Sequence, residues 1–131
     1  MIYEFQLRTG REEIVPIRDQ LLEAVEQSGV KNGTALIYCP HTTAAITINE
    51  NGDPDVRRDL VTAVERFFPD LAEYRHFEGN SAAHLKSSLF GVSETVLIVD
   101  GRPLLGTWQS PYFCEFDGPR TRRFYIKITA D

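Results

Sequence analysis

The sequence predicts an α+β fold, a two-layer β-sandwich of mostly antiparallel strands with helical insertions, in the order two strands, helix, two strands, helical segments, three strands. Period-2 strands open and close the chain: Tyr3, Phe5 and Leu7 alternate with Glu4, Gln6 and Arg8, and Phe124, Ile126 and Ile128 alternate with Tyr125, Lys127 and Thr129. Strand signals come in adjacent runs instead of alternating one by one with helices, which argues against a doubly wound parallel sheet. The 131 residues, 42% hydrophobic and 25% charged, suit one core-forming domain spanning residues 1–131.

Thr9-Gly10 turns the first strand. Glu13 to Ile17 reads as a return strand at an edge or an end, because Pro16 cannot donate to a ladder. Asp19 is placed to cap the next helix, in which Leu21, Leu22, Val25 and Ser28 share a face and which Gly29 stops as a left-handed C-cap. Lys31-Asn32-Gly33 turns into Thr34 to Cys39, an apolar run with the length of a central strand, and Pro40 ends it. Ala44, Ile46 and Ile48 alternate with Ala45, Thr47 and Asn49 in the following strand, which Asn51-Gly52 terminates.

Asp53-Pro54 then reads as an N-cap followed by proline at the first helical position, with Asp55 in the first turn. Val56, Leu60, Val64 and Phe67 or Phe68 form the apolar stripe of this helix, and Pro69 stops it. The pattern fades from Leu71 to Gly79, an irregular polar loop. A second helix is expected over Ala82 to Phe90, capped by Asn80 or Ser81, with Leu85 and Leu89 inward and Gly91 at its end. Strands are expected at Thr95 to Val99, Leu104 to Gln109, Phe113 to Phe116 and Phe124 to Thr129, with a turn at Asp100-Gly101.

A net charge of −5 argues against a broad nucleic-acid surface, since phosphate contacts need a basic footprint. No apolar run approaches the length of a membrane span, and Met-Ile-Tyr-Glu-Phe lacks a signal-peptide layout, so a soluble cytoplasmic protein with no membrane partner is expected. The two cysteines, Cys39 and Cys114, read as buried small hydrophobes and not as a disulfide framework.

The polar chemistry concentrates between Cys39 and Asp59. Glu50, Asn51 and Asp53 fall in a strand-to-helix loop near amide donors and the positive end of a helix dipole, while His41 lies at the other end of the strand, roughly 25–30 Å away. Sharing one chemistry therefore requires the chain to fold back or a second subunit to supply one end. The three histidines of the chain, His41, His76 and His84, all sit in polar clusters and are candidate metal ligands, although their spacing matches no compact zinc motif. Asp53 and Asp55 are explained by capping alone, which leaves Glu50 and Asp59 as acids in want of a role. Arg120, Arg122 and Arg123 beside Glu115 and Asp117 read as a solvated ion-pair face; Arg120, after the Gly118-Pro119 turn, and Lys86 are the candidate anion contacts. No nucleophile elbow, phosphate loop, dinucleotide fingerprint or CxxC is present.

The blocks PHTTAAITINEN-x-DPDV-x-x-D, RH-x-x-x-N-x-x-AHLKSSL-x-G and LGTWQ with EFDGPR-x-R resemble the YjbQ-like family of small bacterial and archaeal proteins, to which a secondary thiamine-phosphate synthase activity is ascribed. The resemblance covers nearly the whole chain. It implies a two-sheet sandwich with helical insertions, assembly as a homotrimer, and a shared site containing His41, Glu50, Asn51, Asp53, Asp59, His76, Asn80 and His84. On this reading Glu50, Asp59 and Asn80 are catalytic, Asn51, Asp53, Lys86 and Arg120 bind substrate, and the histidines hold a divalent cation. Imidazole ligands favour zinc, with magnesium or manganese as alternatives.

Two functions of different class follow. One is an enzyme that joins a pyrimidine pyrophosphate to a thiazole phosphate at a metal-assisted site, a step that needs charge neutralisation and positioning more than a protein nucleophile. The other is a non-catalytic trimeric module that binds a metal or a small phosphorylated metabolite.

Overall fold

The computed structural model describes all 131 residues. In chain order the elements are β1 (Ile2–Arg8), β2 (Glu13–Pro16), α1 (Arg18–Ser28), β3 (Gly33–Tyr38), β4 (Ala44–Glu50), α2 (Pro54–Phe67), α3 (Ser81–Phe90), β5 (Ser93–Val99), β6 (Arg102–Pro103), β7 (Gln109–Glu115) and β8 (Thr121–Ala130). They build two sheets, one of order β1-β8-β3-β5-β6 and one of order β2-β7-β4, with every pairing antiparallel. This is the expected sandwich with helical insertions.

Alternation along the strands builds the layers. Phe124, Ile126 and Ile128 of β8, Ala35 and Ile37 of β3, and Val96 and Ile98 of β5 turn inward to meet Phe113 and Ile46 of the smaller sheet. Phe5 stacks on Phe124 with centroids 5.4 Å apart, so β1 adds to the same core. Helix α1 closes one end of this core with Leu21, Ala24 and Val25. The other face of the smaller sheet carries Ala45, Tyr112 and Cys114 against Val64 of α2 and Ala83 of α3, a second apolar cluster. Both cysteines are buried and unpaired, as expected.

The caps largely follow the sequence. Asp53 accepts from the Asp55 backbone N–H at 2.9 Å with Pro54 at the helix start, and Gly29 ends α1 at φ 67°. Asp19, however, is not a cap. Helix α1 begins two residues before a cap at Asp19 would allow, because buried Ile17 has its N–H fixed on the Pro111 carbonyl at 3.0 Å and so sets the point of entry. Asp19 lies in the first turn, where its charge favours the helix dipole.

Two further expectations are corrected. Leu85 and Leu89 point outward, at 39% and 63% exposure, and the buried face of α3 is Ala82, Ala83, Lys86 and Ser87. Small side chains bring this helix close onto β4, where the Ser87 hydroxyl donates to the Ala44 carbonyl at 2.7 Å. The run Leu104 to Gln109 is not a strand. Arg102–Pro103 pairs with the free edge of β5, and the Leu104 N–H still donates to the Leu97 carbonyl at 2.7 Å; the chain then crosses from one sheet to the other, and pairing resumes at Gln109 in β7. No helix is long and apolar enough to cross a membrane.

Candidate functional site

A polar cleft of about 370 Å³ opens where the β3–β4 connection, the loop before α3, and the start of β8 meet. His41, His76, His84, Asn80, Arg120 and Arg122 line it, and none of its lining residues is hydrophobic.

His41 owes its position to Pro40. Extending the β3–β8 register beyond Tyr38↔Tyr125 sets Pro40 opposite Arg123, and proline has no N–H with which to continue the ladder. The imidazole occupies that edge instead, with Nε2 3.1 Å from both the N–H and the carbonyl oxygen of Arg123. One ring nitrogen is thus committed to backbone, and only Nδ1 is left for a ligand. If Nε2 accepts from the N–H, Nδ1 carries the proton; if Nε2 donates to the carbonyl, Nδ1 offers a lone pair. Burial, and then the positive charge of Arg122, hold the His41 pKa below its ordinary value, so the ring is neutral at neutral pH.

His76 comes from the loop between α2 and α3, and His84 from the first turn of α3. Their rings meet edge to face with centroids 5.2 Å apart. Two imidazoles on one tetrahedral zinc, with nitrogen ligands at about 2.0–2.1 Å, have centroids about 5 Å apart, so this pair fits two corners of such a site. No three metal-ligating side chains are gathered into a ready ligand set. Asn80, at the N-cap position of α3, makes no capping bond; its amide donates to Asp117 Oδ2 at 2.8 Å. Its Oδ1 is buried without a partner and sealed from solvent, within the wall that separates this cleft from its neighbour.

The remaining candidates lie elsewhere. Glu50, Asn51 and Asp53 are at the far end of β4, where the Tyr112 hydroxyl bonds the Glu50 carbonyl at 2.7 Å and Asn51 Oδ1 at 2.9 Å. Asp59 is exposed on α2. Within one chain these four residues do not line the histidine cleft. Lys86 faces a neighbouring cleft of about 340 Å³, and its charge is matched by Glu12, with Nζ 2.7 Å from Oε1. Arg120 does line the histidine cleft, but it spends Nε on the Asp117 carbonyl at 2.7 Å and Nη2 on its carboxylate at 3.1 Å.

The ion-pair face expected at the chain's end is solvated only in part. Arg122 and Glu115 are buried, at 5% and 0% exposure. Arg122 Nε and Nη2 grip the two carboxylate oxygens at 2.8 and 2.6 Å; the Thr9 hydroxyl and the Asp117 N–H also donate to Glu115. Burial by itself would raise the Glu115 pKa, but these bonds from Arg122, Thr9 and Asp117 outweigh it and hold the carboxyl below its ordinary value. The signal was present in the sequence, since Arg122 is in phase with Phe124, Ile126 and Ile128 and must share their inward face.

The profile of the UPF0047 protein YjbQ-like family matches residues 3–131. The chain belongs to this family. A UPF0047 protein of Methanocaldococcus jannaschii is 52% identical over all of this chain and 96% of its own length, and the UPF0047 protein YugU of Bacillus subtilis is 51% identical over 98% of each. A crystal structure of an uncharacterized conserved family member from Clostridium acetobutylicum superposes with a TM-score of 0.95 at 48% identity, covering 97% of this chain and 99% of that one. A Sulfolobus solfataricus protein, described as of unknown function, gives the same TM-score at 32% identity over 100% and 97% of the two chains. These descriptions establish the family and name no activity.

Proposed function

We propose that the histidine cleft binds a small phosphorylated metabolite together with a divalent cation, and that the reaction it serves is the joining of a pyrimidine pyrophosphate to a thiazole phosphate. The observation that carries this reading is the His76–His84 pair, held at 5.2 Å in a cleft with no hydrophobic lining. His76 and His84 are the residues that would hold the cation, with His41 joining only through Nδ1. When bound, zinc or another divalent ion would neutralise charge on phosphate oxygens. The chain's own residues do the rest. Arg120 and Arg122 present N–H donors to an anion, and the neutral His41 ring, braced by the Arg123 backbone, can take or give a proton at Nδ1.

Glu50, Asn51, Asp53 and Asp59 enter this scheme from a neighbouring copy. The proposed homotrimer is supported by the outer face of the larger sheet, where Leu36, Tyr38, Leu97 and Val99 are 36–53% exposed on one side. Light scattering is expected to report three times the 14.9 kDa chain mass; a monomer at micromolar concentration removes the shared-site scheme.

A non-catalytic binding module is the second reading, favoured by the matching of both cleft arginines to acids and by the lack of a ready three-ligand set. Supplying the purified protein with the two phosphorylated substrates separates the readings. Thiamine phosphate is expected to form at a rate that falls at least about tenfold in His84→Ala, as for loss of a positioned polar group. Equal rates in the two proteins leave only the binding module.

A further inference from the structure

We infer that the phosphate group of the cleft's ligand is held by Arg122, through the one guanidinium nitrogen that the fold leaves free. This deepens the phosphorylated-metabolite reading of the cleft and rests on it. Nε donates to Glu115 Oε1 at 2.8 Å; Nη2 donates to Glu115 Oε2 at 2.6 Å and to the Thr43 hydroxyl at 2.8 Å. Nη1 makes no hydrogen bond within the chain. Nor is it sealed away, because Asn80 Oδ1 is the sole buried side-chain polar atom without a partner. Arg122 is only 5% exposed and lines the histidine cleft, so its free nitrogen meets solvent there.

The arrangement is built for an anion. A guanidinium with a free edge at the surface is ordinary, but here the opposite edge is clamped by a fully buried carboxylate, which fixes the plane and aims Nη1 before any ligand arrives. That removes most of the side-chain entropy cost of recognition. Glu115 cancels the formal charge, so the contribution is directed hydrogen bonding, and inorganic phosphate alone should bind weakly, in the low-millimolar range. A tetrahedral oxyanion suits the site better than a planar carboxylate. Only one nitrogen of Arg122 is on offer, so the fork that would take a carboxylate side-on is already used, while the other donors, Thr42 and Arg120, come from two separate loops.

The test is a titration of the full-length protein with inorganic phosphate, without added metal, followed by the arginine side-chain nitrogen resonances. The Arg122 Nη1 signal is expected to shift saturably. Read from the backbone amide resonances of Thr42 and Thr43, which all three proteins share, Arg122→Lys, confirmed folded from its amide spectrum, should weaken phosphate at least tenfold, whereas Lys127→Gln, which removes one positive charge from the outer face of β8, should change it less than twofold. A wild-type titration with no saturable shift at Arg122 overturns the inference, as does equal affinity in folded Arg122→Lys. Acetate saturating the same signal as tightly as phosphate would overturn the assignment to phosphate. If Arg122→Lys does not fold, the wild-type Nη1 shift decides. Phosphate binding is read without turnover, so a failed synthesis assay and a failed titration are separate results.

Discussion

Glu115→Ala is expected to lower the unfolding free energy by about 3–5 kcal/mol, the loss typical when one partner of a buried ion pair is removed. Glu115 is fully buried and accepts from Arg122 at 2.8 and 2.6 Å, from Thr9 at 2.5 Å and from the Asp117 N–H at 3.0 Å. Removing it leaves the Arg122 guanidinium charged, desolvated and without its main partner. The pair itself is worth less than this loss, since much of the number is the penalty on the stranded charge. Arg122→Met combined with Glu115→Ala should therefore cost less than the sum of the single changes. Urea midpoints for the three variants check this, and a single-variant loss below about 1 kcal/mol would mean that solvent reaches the pair.

The same carboxylate sets a pH dependence with a definite sign. Its folded pKa lies below the ordinary value, so the folded state binds its proton less readily than the unfolded state does. The stabilisation is present above the unfolded carboxylate pKa, about 4.3, and is lost as pH falls through the lower, folded value. The gap between wild type and Glu115→Ala should accordingly narrow in acid and be constant near neutrality.

Sequence alone reached the architecture because the layers rest on alternation, which is a local signal. β1, β3 and β8 carry their inward residues at every second position, and Asp53-Pro54 and Gly29 mark helix ends by their own chemistry. What it missed needed three-dimensional information. Leu85 and Leu89 look like a core stripe, yet α3 approaches β4 so closely that only Ala82, Ala83 and Ser87 fit beneath it, and the stem of Lys86 is buried while its ammonium finds Glu12. Leu104 to Trp108 is apolar enough for a strand, but it has to pass between sheets. The histidines were legible as candidates by their polar surroundings, and the structure brings His41, His76 and His84 to one cleft. Arg122 reads as part of a solvated ion-pair face because a run of mixed charges usually faces water, although its phase on β8 places it inside.

His76→Ala and His84→Ala are each expected to weaken zinc retention at least about 100-fold, since removing a ligand should exceed the 10–100-fold loss seen for residues that merely orient one. Both rings line the cleft with centroids 5.2 Å apart, and neither contributes to the buried apolar clusters of the sheets, so the variants should stay folded. His41→Ala should behave differently. With Nε2 committed to Arg123, His41 offers only Nδ1, and its loss should leave most of the zinc bound while abolishing turnover. Elemental analysis after dialysis against zinc-containing and then zinc-free buffer reads the metal, and circular dichroism reads the fold. Equal zinc loss in all three variants would make His41 a full ligand and require the tautomer in which Nε2 donates to the Arg123 carbonyl, freeing the Nδ1 lone pair. Wild-type protein that retains no zinc under the same treatment would remove the metal from the site altogether and leave the cleft to its anion-binding groups.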